Sequence, residues 1–335
     1  MDIIAEIGQA HEGSLGIAHS YIDALSNTGV TSIKFQTHIA EAESSEFENF
    51  RVKFSYEDKT RFEYWKRMEF TIDQWAGLKS HCEDKGLEFL SSPFSNKAVD
   101  LLEEIGVKRY KIGSGEVTNN LMLEKISKTG KPILLSSGMS SYIELDKTVD
   151  FIKGKGNDVS IFQCTTSYPS ISGEWGLKLI PEFIDRYDVP IGFSDHSGDI
   201  YACLAATALG ASLLEFHAVF DKGMFGPDAK SSLTIQEIKK MVEGVVQIKN
   251  DTGSSDDFKQ DNSKFKVVKA IFEKSLAINK DLKRNHIITF DDLESKKPAN
   301  RGVSASEFKS LIGKKLNRDM NKWDFLNLSD LISSK

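Results

Sequence analysis

Residues able to do chemistry gather where short apolar runs of this 335-residue chain stop: Glu12, Lys34, Gln36, Ser92, Lys111, Ser114, Glu116, Ser136, Thr166, Tyr168, Ser194, Asp195, His196, Glu215 and His217. Lys34 and Lys111 lie inside runs that are otherwise apolar (SIKFQT, RYKIGSG), where an unpaired ammonium costs several kcal/mol. Each needs a permanent anion. The hydroxyls of Ser92, Ser114, Ser136 and Ser194, with the GSG and SSG turns whose backbone N–H groups can come close, complete a cradle for phosphate or carboxylate. The plainer reading pairs each lysine with a carboxylate of the fold itself, such as Glu6, Glu12 or Glu215. His196 and His217 end successive runs, and two imidazoles with carboxylate help suit a divalent first-row metal such as Mn²⁺, Co²⁺ or Zn²⁺. His11, in GQAHEG, reads as a loop residue that could orient Glu12, whereas His19, His38, His81 and His286 have no comparable partner in the sequence.

The elements that must position these groups are eight β-branched or aromatic runs, beginning at Ile3, Ser32, Glu88, Arg109, Pro132, Val159, Pro190 and Leu213. Segments of helical period separate them, for example Ile17 to Ser26, Ile72 to Asp84, Tyr142 to Lys153 and Tyr201 to Leu209. Strand and helix alternating eight times predicts a (β/α)₈ TIM barrel, whose functional residues lie at the C-terminal strand ends. The charged, aromatic stretch from Ile39 to Phe70 reads as an inserted loop and helix on that rim. The periodicity predicts a barrel over 1–250, a polar linker over 251–264 and a small domain with its own core over 265–335.

Composition narrows the function further. No apolar run approaches the roughly 18 residues of a membrane span. The net charge of −6 argues against a chain built to coat nucleic acid or anionic lipid. That total is uneven: residues 1–264 carry 28 basic and 40 acidic side chains, and residues 265–335 carry 15 and 9. Cys82, Cys164 and Cys203 are too scattered for a disulfide framework or a thiolate zinc site. MDIIAEIG lacks the basic start and apolar core of a signal peptide, so the expected location is the cytoplasm. A non-catalytic alternative, with the basic C-terminal part as an anionic-glycan or nucleic-acid module, is weakened because its basic residues are dispersed and lack interleaved aromatics.

At AEIGQAHEG, IKFQTH, SSPFS, YKIGSGE, LSSGM, CTTSYP, GFSDHS and LLEFH, then GPD at 226–228, the chain resembles the sialic acid synthase family. These enzymes condense phosphoenolpyruvate (PEP) with an N-acylated hexosamine. SLAINKDLKRNHIITFDDLESKKP resembles the small antifreeze-like (SAF, β-clip) domain that follows their barrel. The resemblance implies a metal on His196 and His217, foremost Mn²⁺, with Mg²⁺ or Co²⁺ as alternatives. It assigns PEP to Lys34, Ser92, Lys111, Ser114, Ser136 and Ser194, and the open-chain sugar to Gln36, Glu116, Thr166, Tyr168 and Asp228. Glu12 would stand beside the reacting carbons and handle the water or aldehyde proton, helped by Glu116. In relatives the C-terminal domain of one protomer caps its partner's barrel with an arginine, which implies a domain-swapped homodimer.

Three positions depart from the family pattern: Ala10 and Thr166 stand where relatives often have Asn, and the usual arginine-proline-glycine motif reads Lys297-Pro298-Ala299. Arg301 or Lys297 is then the candidate for the capping cation. The expected reaction is N-acetylneuraminate synthesis from PEP and N-acetylmannosamine, because Gln36, Glu116, Tyr168 and Asp228 offer many partners to a fully hydroxylated sugar. A diacetamido-trideoxyhexose acceptor, giving legionaminate or pseudaminate, is the alternative. Synthases of 3-deoxy sugar acids and divalent-metal aldolases are the nearest other enzymes.

Overall fold

The computed structural model describes residues 1–335 apart from 53, 256–258 and 333–335. The chain divides into two units, Met1–Ser254 and Ser255–Lys335. In the first, β1 (Asp2–Gly8), α1 (Leu15–Leu25), β2 (Ser32–Thr37), α2 (Ala40–Glu43), α3 (Arg61–Met68), α4 (Ile72–Asp84), β3 (Glu88–Pro93), α5 (Asn96–Ile105), β4 (Tyr110–Ile112), α6 (Asn120–Ser127), β5 (Ile133–Ser136), α7 (Tyr142–Gly154), β6 (Val159–Cys164), α8 (Leu179–Tyr187), β7 (Ile191–Asp195), α9 (Tyr201–Ala208) and β8 (Leu213–Val219) follow in turn. A short β9 (Leu233–Thr234) pairs with β8 and leads into α10 (Ile235–Thr252). The sheet runs β3-β2-β1-β8-β7-β6-β5-β4, and its two end strands lie side by side, so the barrel is a nearly closed parallel (β/α)₈ barrel, as the alternation predicts.

Local sequence sets the helix starts. Thr60 with Glu63, Thr71 with Gln74, Ser141 with Glu144 and Thr234 with Glu237 each form a capping box, which satisfies backbone N–H groups that the first turn leaves without partners. The helices bury apolar faces against the outside of the sheet in one large core. Inside the barrel, Ile4, Leu90, Leu134, Phe162 and Leu213 form a separate apolar plug. Side chains alternate across a strand, so two residues further along the same inward face becomes polar: Glu6, Ser92, Ser136 and Glu215, with His217 beyond. The plug is the floor on which the polar layer rests.

The inserted stretch between β2 and α4 holds α2 and α3 and otherwise irregular chain. Its own core is Ala40, Tyr64, Trp65 and Met68, with Phe50, Phe54 and Phe62 packed against it. All three cysteines are buried and free. Among the described residues no helix is long and apolar enough to cross a membrane.

The stretch expected as a linker begins inside α10, includes the undescribed 256–258, and ends at a single 3₁₀ turn, Ser263–Phe265. The second unit continues with α11 (Lys266–Phe272) and the antiparallel pair β10 (Ser275–Ile278) and β11 (Leu293–Lys296). Its core gathers Leu276, Ile278, Leu282, Ile288, Leu311, Leu316, Met320, Leu326 and Leu331. Two similar corners brace it. Asn279 donates to the carbonyls of Asp291 and Leu293, and Asn317 to those of Ser329 and Leu331, while the nearby Asp292 and Asp330 each cap a 3₁₀ turn.

Candidate active site

The strand register brings charged groups of distant sequence to one level. Glu6 on β1 is level with Lys34 on β2 and with His217 on β8, and Ser194 on β7 is level with Glu215 on β8. Lys34 Nζ lies 2.5 Å from Glu6 Oε2 and 3.1 Å from Glu215 Oε1, and donates to Ser92 Oγ at 3.2 Å. Lys111 Nζ lies 2.8 Å from Glu215 Oε2 and donates to Ser136 Oγ at 2.5 Å. Ser194 donates to the same Glu215 carboxylate. Both lysines therefore have anionic partners from the fold itself, the plainer of the two readings, with Glu6 and Glu215 as the carboxylates. Burial alone would raise the Glu215 carboxyl, but Lys111 and Lys34 overcome it and hold the group far below its usual range. Burial opposes the Lys34 charge too, yet Glu6 and Glu215 keep its pKa above the ordinary value.

These groups form the bottom of a cavity of about 400 Å³ at the C-terminal strand ends, a size typical of small-molecule sites. Ser114, Gly115, Ser136, Cys164, Thr166 and Ser194 border it as well. The Gly138 N–H donates to Ser114 Oγ at 3.2 Å, and a Cβ at Gly138 would stand 2.5 Å from both Cys164 Sγ and Thr166 Oγ1. Only glycine lets the SSG turn come so close.

His196 and His217 meet with ring centroids 5.2 Å apart, and Tyr168 packs on His196 at 4.2 Å. All three line the cavity. Burial, and then the neighbouring His217, hold the His196 imidazole well below its usual pKa, so the ring is neutral and able to ligate. His196 Nδ1 is buried without a hydrogen-bond partner. Among the described residues no set of three or more His, Cys, Asp or Glu converges as a metal cage. Two facing imidazoles, with one ring nitrogen of His196 lacking a partner, fit an open site in which substrate or water supplies the other donors. Asp195 turns aside, accepting from the Ser197 N–H and hydroxyl.

Another part of the wall comes from the insertion. Phe50, Val52, Phe54, Tyr64 and Trp65 line it, with Phe94 and Met139 beside them. Arg51 reaches Asp228 Oδ1 at 2.8 Å and stacks 4.0 Å above the Tyr168 ring. Gln36 donates to Glu6 Oε1 at 2.6 Å, and its own carbonyl accepts from Gln9. Glu116 borders the cavity, accepts from Asn119 at 2.7 Å, and has its carboxyl raised by burial.

Two expected site residues are engaged in other contacts. Glu12 does not line the cavity; it sits at a positive φ of 49° and binds Arg67 of α3 at 3.0 Å. Burial outweighs that guanidinium and lifts its carboxyl from 4.5 to about 7. His11 braces the same turn by accepting from the Gly13 N–H, and so serves the loop. Arg301 belongs to the second unit, where its backbone N–H donates to Ser275 Oγ at 3.1 Å. Sequence reasoning missed Arg51, Gln9, Glu43 and the role of His38. A period-2 continuation of β2 through Lys34 and Gln36 points to His38, whereas nothing local marks Arg51.

Comparison with known proteins agrees with this geometry. The NeuB family model matches residues 21–257, and the SAF domain model matches 273–332. The chain is 34% identical to the N,N'-diacetyllegionaminic acid synthase of Campylobacter jejuni over 93% of its length and 94% of that enzyme. It is 32% identical to human N-acetylneuraminate-9-phosphate synthase over 94% and 88%. The crystal structure of the N-acetylneuraminic acid (sialic acid) synthetase of Leptospira borgpetersenii superposes with a TM-score of 0.71 at 30% identity, covering 79% of this chain and 90% of that one. With barrel, tail and polar strand ends in this order, the chain belongs to the NeuB family of nonulosonic acid synthases and carries a C-terminal SAF domain.

Proposed function

We propose that this chain condenses phosphoenolpyruvate with the open-chain form of an N-acylated amino sugar and water, giving a nonulosonic acid and phosphate. The observation that carries the reading is the cavity itself, lined by paired lysines and serines, by two histidines and by apolar side chains of the insertion. Carbon 3 of PEP attacks the sugar aldehyde, water captures the cation left at carbon 2, and carbon–oxygen cleavage releases phosphate. A divalent metal such as Mn²⁺, held by His196 and His217, would supply Lewis-acid polarisation of the aldehyde oxygen. Lys34, Lys111 and the hydroxyls of Ser92, Ser114, Ser136 and Ser194 hold the PEP phosphate and carboxylate, already oriented by Glu6 and Glu215. Glu116 borders the cavity with a raised carboxyl, so it is the group proposed to carry a proton at the acceptor; Glu12, placed outside the lining, is not.

The acceptor we favour is a diacetamido-trideoxyhexose, as for a legionaminate-type synthase. Preference for a fully hydroxylated sugar rested on polar groups that a deoxy acceptor would leave unpaired, at roughly 1–3 kcal/mol for each buried one. Asp228 is already paired with Arg51, and Gln36 with Glu6 and Gln9, so that penalty does not arise. Phe50, Phe54, Trp65 and Met139 instead offer apolar surface to a second N-acyl methyl and to carbon 6. N-acetylmannosamine is the second reading, supported by Tyr168 and Glu116 on the cavity wall. An acceptor panel with PEP and Mn²⁺, followed by phosphate release and product mass, tests both. Faster turnover of N-acetylmannosamine reverses the acceptor choice, and no phosphate release with any amino sugar overturns the function.

A homodimer in which Arg301 or Lys297 of one protomer caps the other's barrel, in a reducing cytoplasm, is the arrangement we propose, and solution mass with a salt titration checks the dimer.

A further inference from the structure

His38 has no part in the chemistry above, yet it is among the most constrained side chains of the cavity wall. Its ring is clamped between Trp65 at 3.9 Å and Phe94 at 4.5 Å, nearly parallel to both. Its Nδ1 stands 2.6 Å from Glu43 Oε1. Its Nε2 stands 2.9 Å from Gln9 Nε2 and 3.2 Å from Gln36 Oε1. Gln9 Nε2 also donates to Gln36 Oε1, and Gln36 Nε2 donates to Glu6 Oε1.

One proton arrangement gives each donor of the chain an acceptor, the 3.2 Å approach of His38 Nε2 to Gln36 Oε1 then being a contact between two acceptors. A carboxylate only accepts, so Glu43 requires the proton on His38 Nδ1. His38 Nε2 is then an acceptor and takes one N–H of Gln9. The second N–H of Gln9 goes to the Gln36 carbonyl, which leaves the Gln36 amide nitrogen facing Glu6. Reversing Gln9 sets its carbonyl against the Gln36 carbonyl and the His38 Nε2 lone pair, and reversing Gln36 sets donor against donor at Gln9 and carbonyl against carboxylate at Glu6. Resting on the proposed function, we infer that His38 is a positioning residue for the acceptor subsite: held as its Nδ1–H tautomer by Glu43, it fixes through Gln9 which face of the Gln36 carboxamide the sugar meets. The relay ends on Glu6, which also pairs with Lys34, but Lys34 is held by Glu215 and Ser92 as well, so acceptor binding depends on the relay more directly than PEP binding does.

Side-chain mimicry separates this role from simple packing. His38→Phe keeps the stacked ring but has no acceptor for Gln9. His38→Gln can place a carbonyl where Nε2 was, and His38→Asn mimics only Nδ1. The expected result is an acceptor KM raised about tenfold in His38→Phe and His38→Asn, with the PEP KM within about twofold and His38→Gln close to the parent protein. His38→Phe matching the parent, or His38→Gln failing as badly as His38→Phe, overturns the inference. A second measurement needs no turnover. Ring ¹⁵N shifts of His38, assigned by their loss in His38→Phe, should report a proton on Nδ1, and a proton on Nε2 alone overturns the inference. Should the parent protein release no phosphate from PEP with any amino sugar, the proposed function fails while the ¹⁵N result still decides the tautomer.

Discussion

The base and the wall of the cavity are built by opposite means. The base is made by strands: Glu6, Lys34, Lys111 and Glu215 sit on regular backbone, one step above an apolar plug, and each charge has its counter-charge within about 3 Å. The wall is made by an insertion with two short helices: Tyr64 and Trp65 reach the cavity from α3, and Phe50, Arg51 and Phe54 from irregular chain. A strand fixes a side chain through register, whereas an insertion fixes it only through what it touches. The base should therefore be costly to alter and serve the invariant substrate, and the wall should be cheaper to alter and govern the choice of acceptor.

The largest expected effect lies at the base. Lys34→Met leaves Glu6 without a cation in a buried site, while Glu215 keeps Lys111, and should cost about 3–5 kcal/mol of stability, read by urea unfolding. A loss below 1 kcal/mol would show that the base is not the rigid part. His217→Ala should come next, lowering kcat by about a thousandfold while calorimetry still finds PEP binding; equal loss of PEP affinity would merge the two sides of the comparison. Arg51→Ala on the wall should raise the acceptor KM by about five- to tenfold, leaving stability and the PEP KM nearly unchanged. The smallest effect concerns Glu12, outside the cavity. Its carboxyl is lifted from 4.5 to about 7, so the folded chain keeps a proton that the unfolded chain releases. The contribution of this group to stability is full below pH 4.5 and declines as the pH rises to about 7. Glu12→Gln should remove that decline from the pH dependence of unfolding, and an unchanged slope would place the raised carboxyl elsewhere.

How much could be read in advance follows the same division. The eight runs and their polar ends were legible because a strand announces itself by alternation, and the family motifs mark the same positions. The identity of the lysines' partners was legible only as an alternative, since register sets Glu6 beside Lys34 and closure of the barrel brings Glu215 to Lys111 from a strand that does not pair with its own. The contacts of Glu12 were not legible, because the motif gives a residue type while the positive φ and Arg67 decide where it points. Arg51 was invisible: its partner Asp228 is 177 residues away and joins it only once the barrel closes.

The balanced charge of the base has a thermodynamic consequence. Two ammonium groups already face two carboxylates, so an incoming multiply charged anion finds no surplus positive charge to neutralise it. Its binding should draw in a cation or a proton. Affinity for PEP should then vary with divalent-metal concentration and with pH together, and by reciprocity PEP should tighten metal binding by the same factor. Titrations in buffers of different ionisation enthalpy would count the protons taken up, and the metal dependence would supply the remainder of the charge.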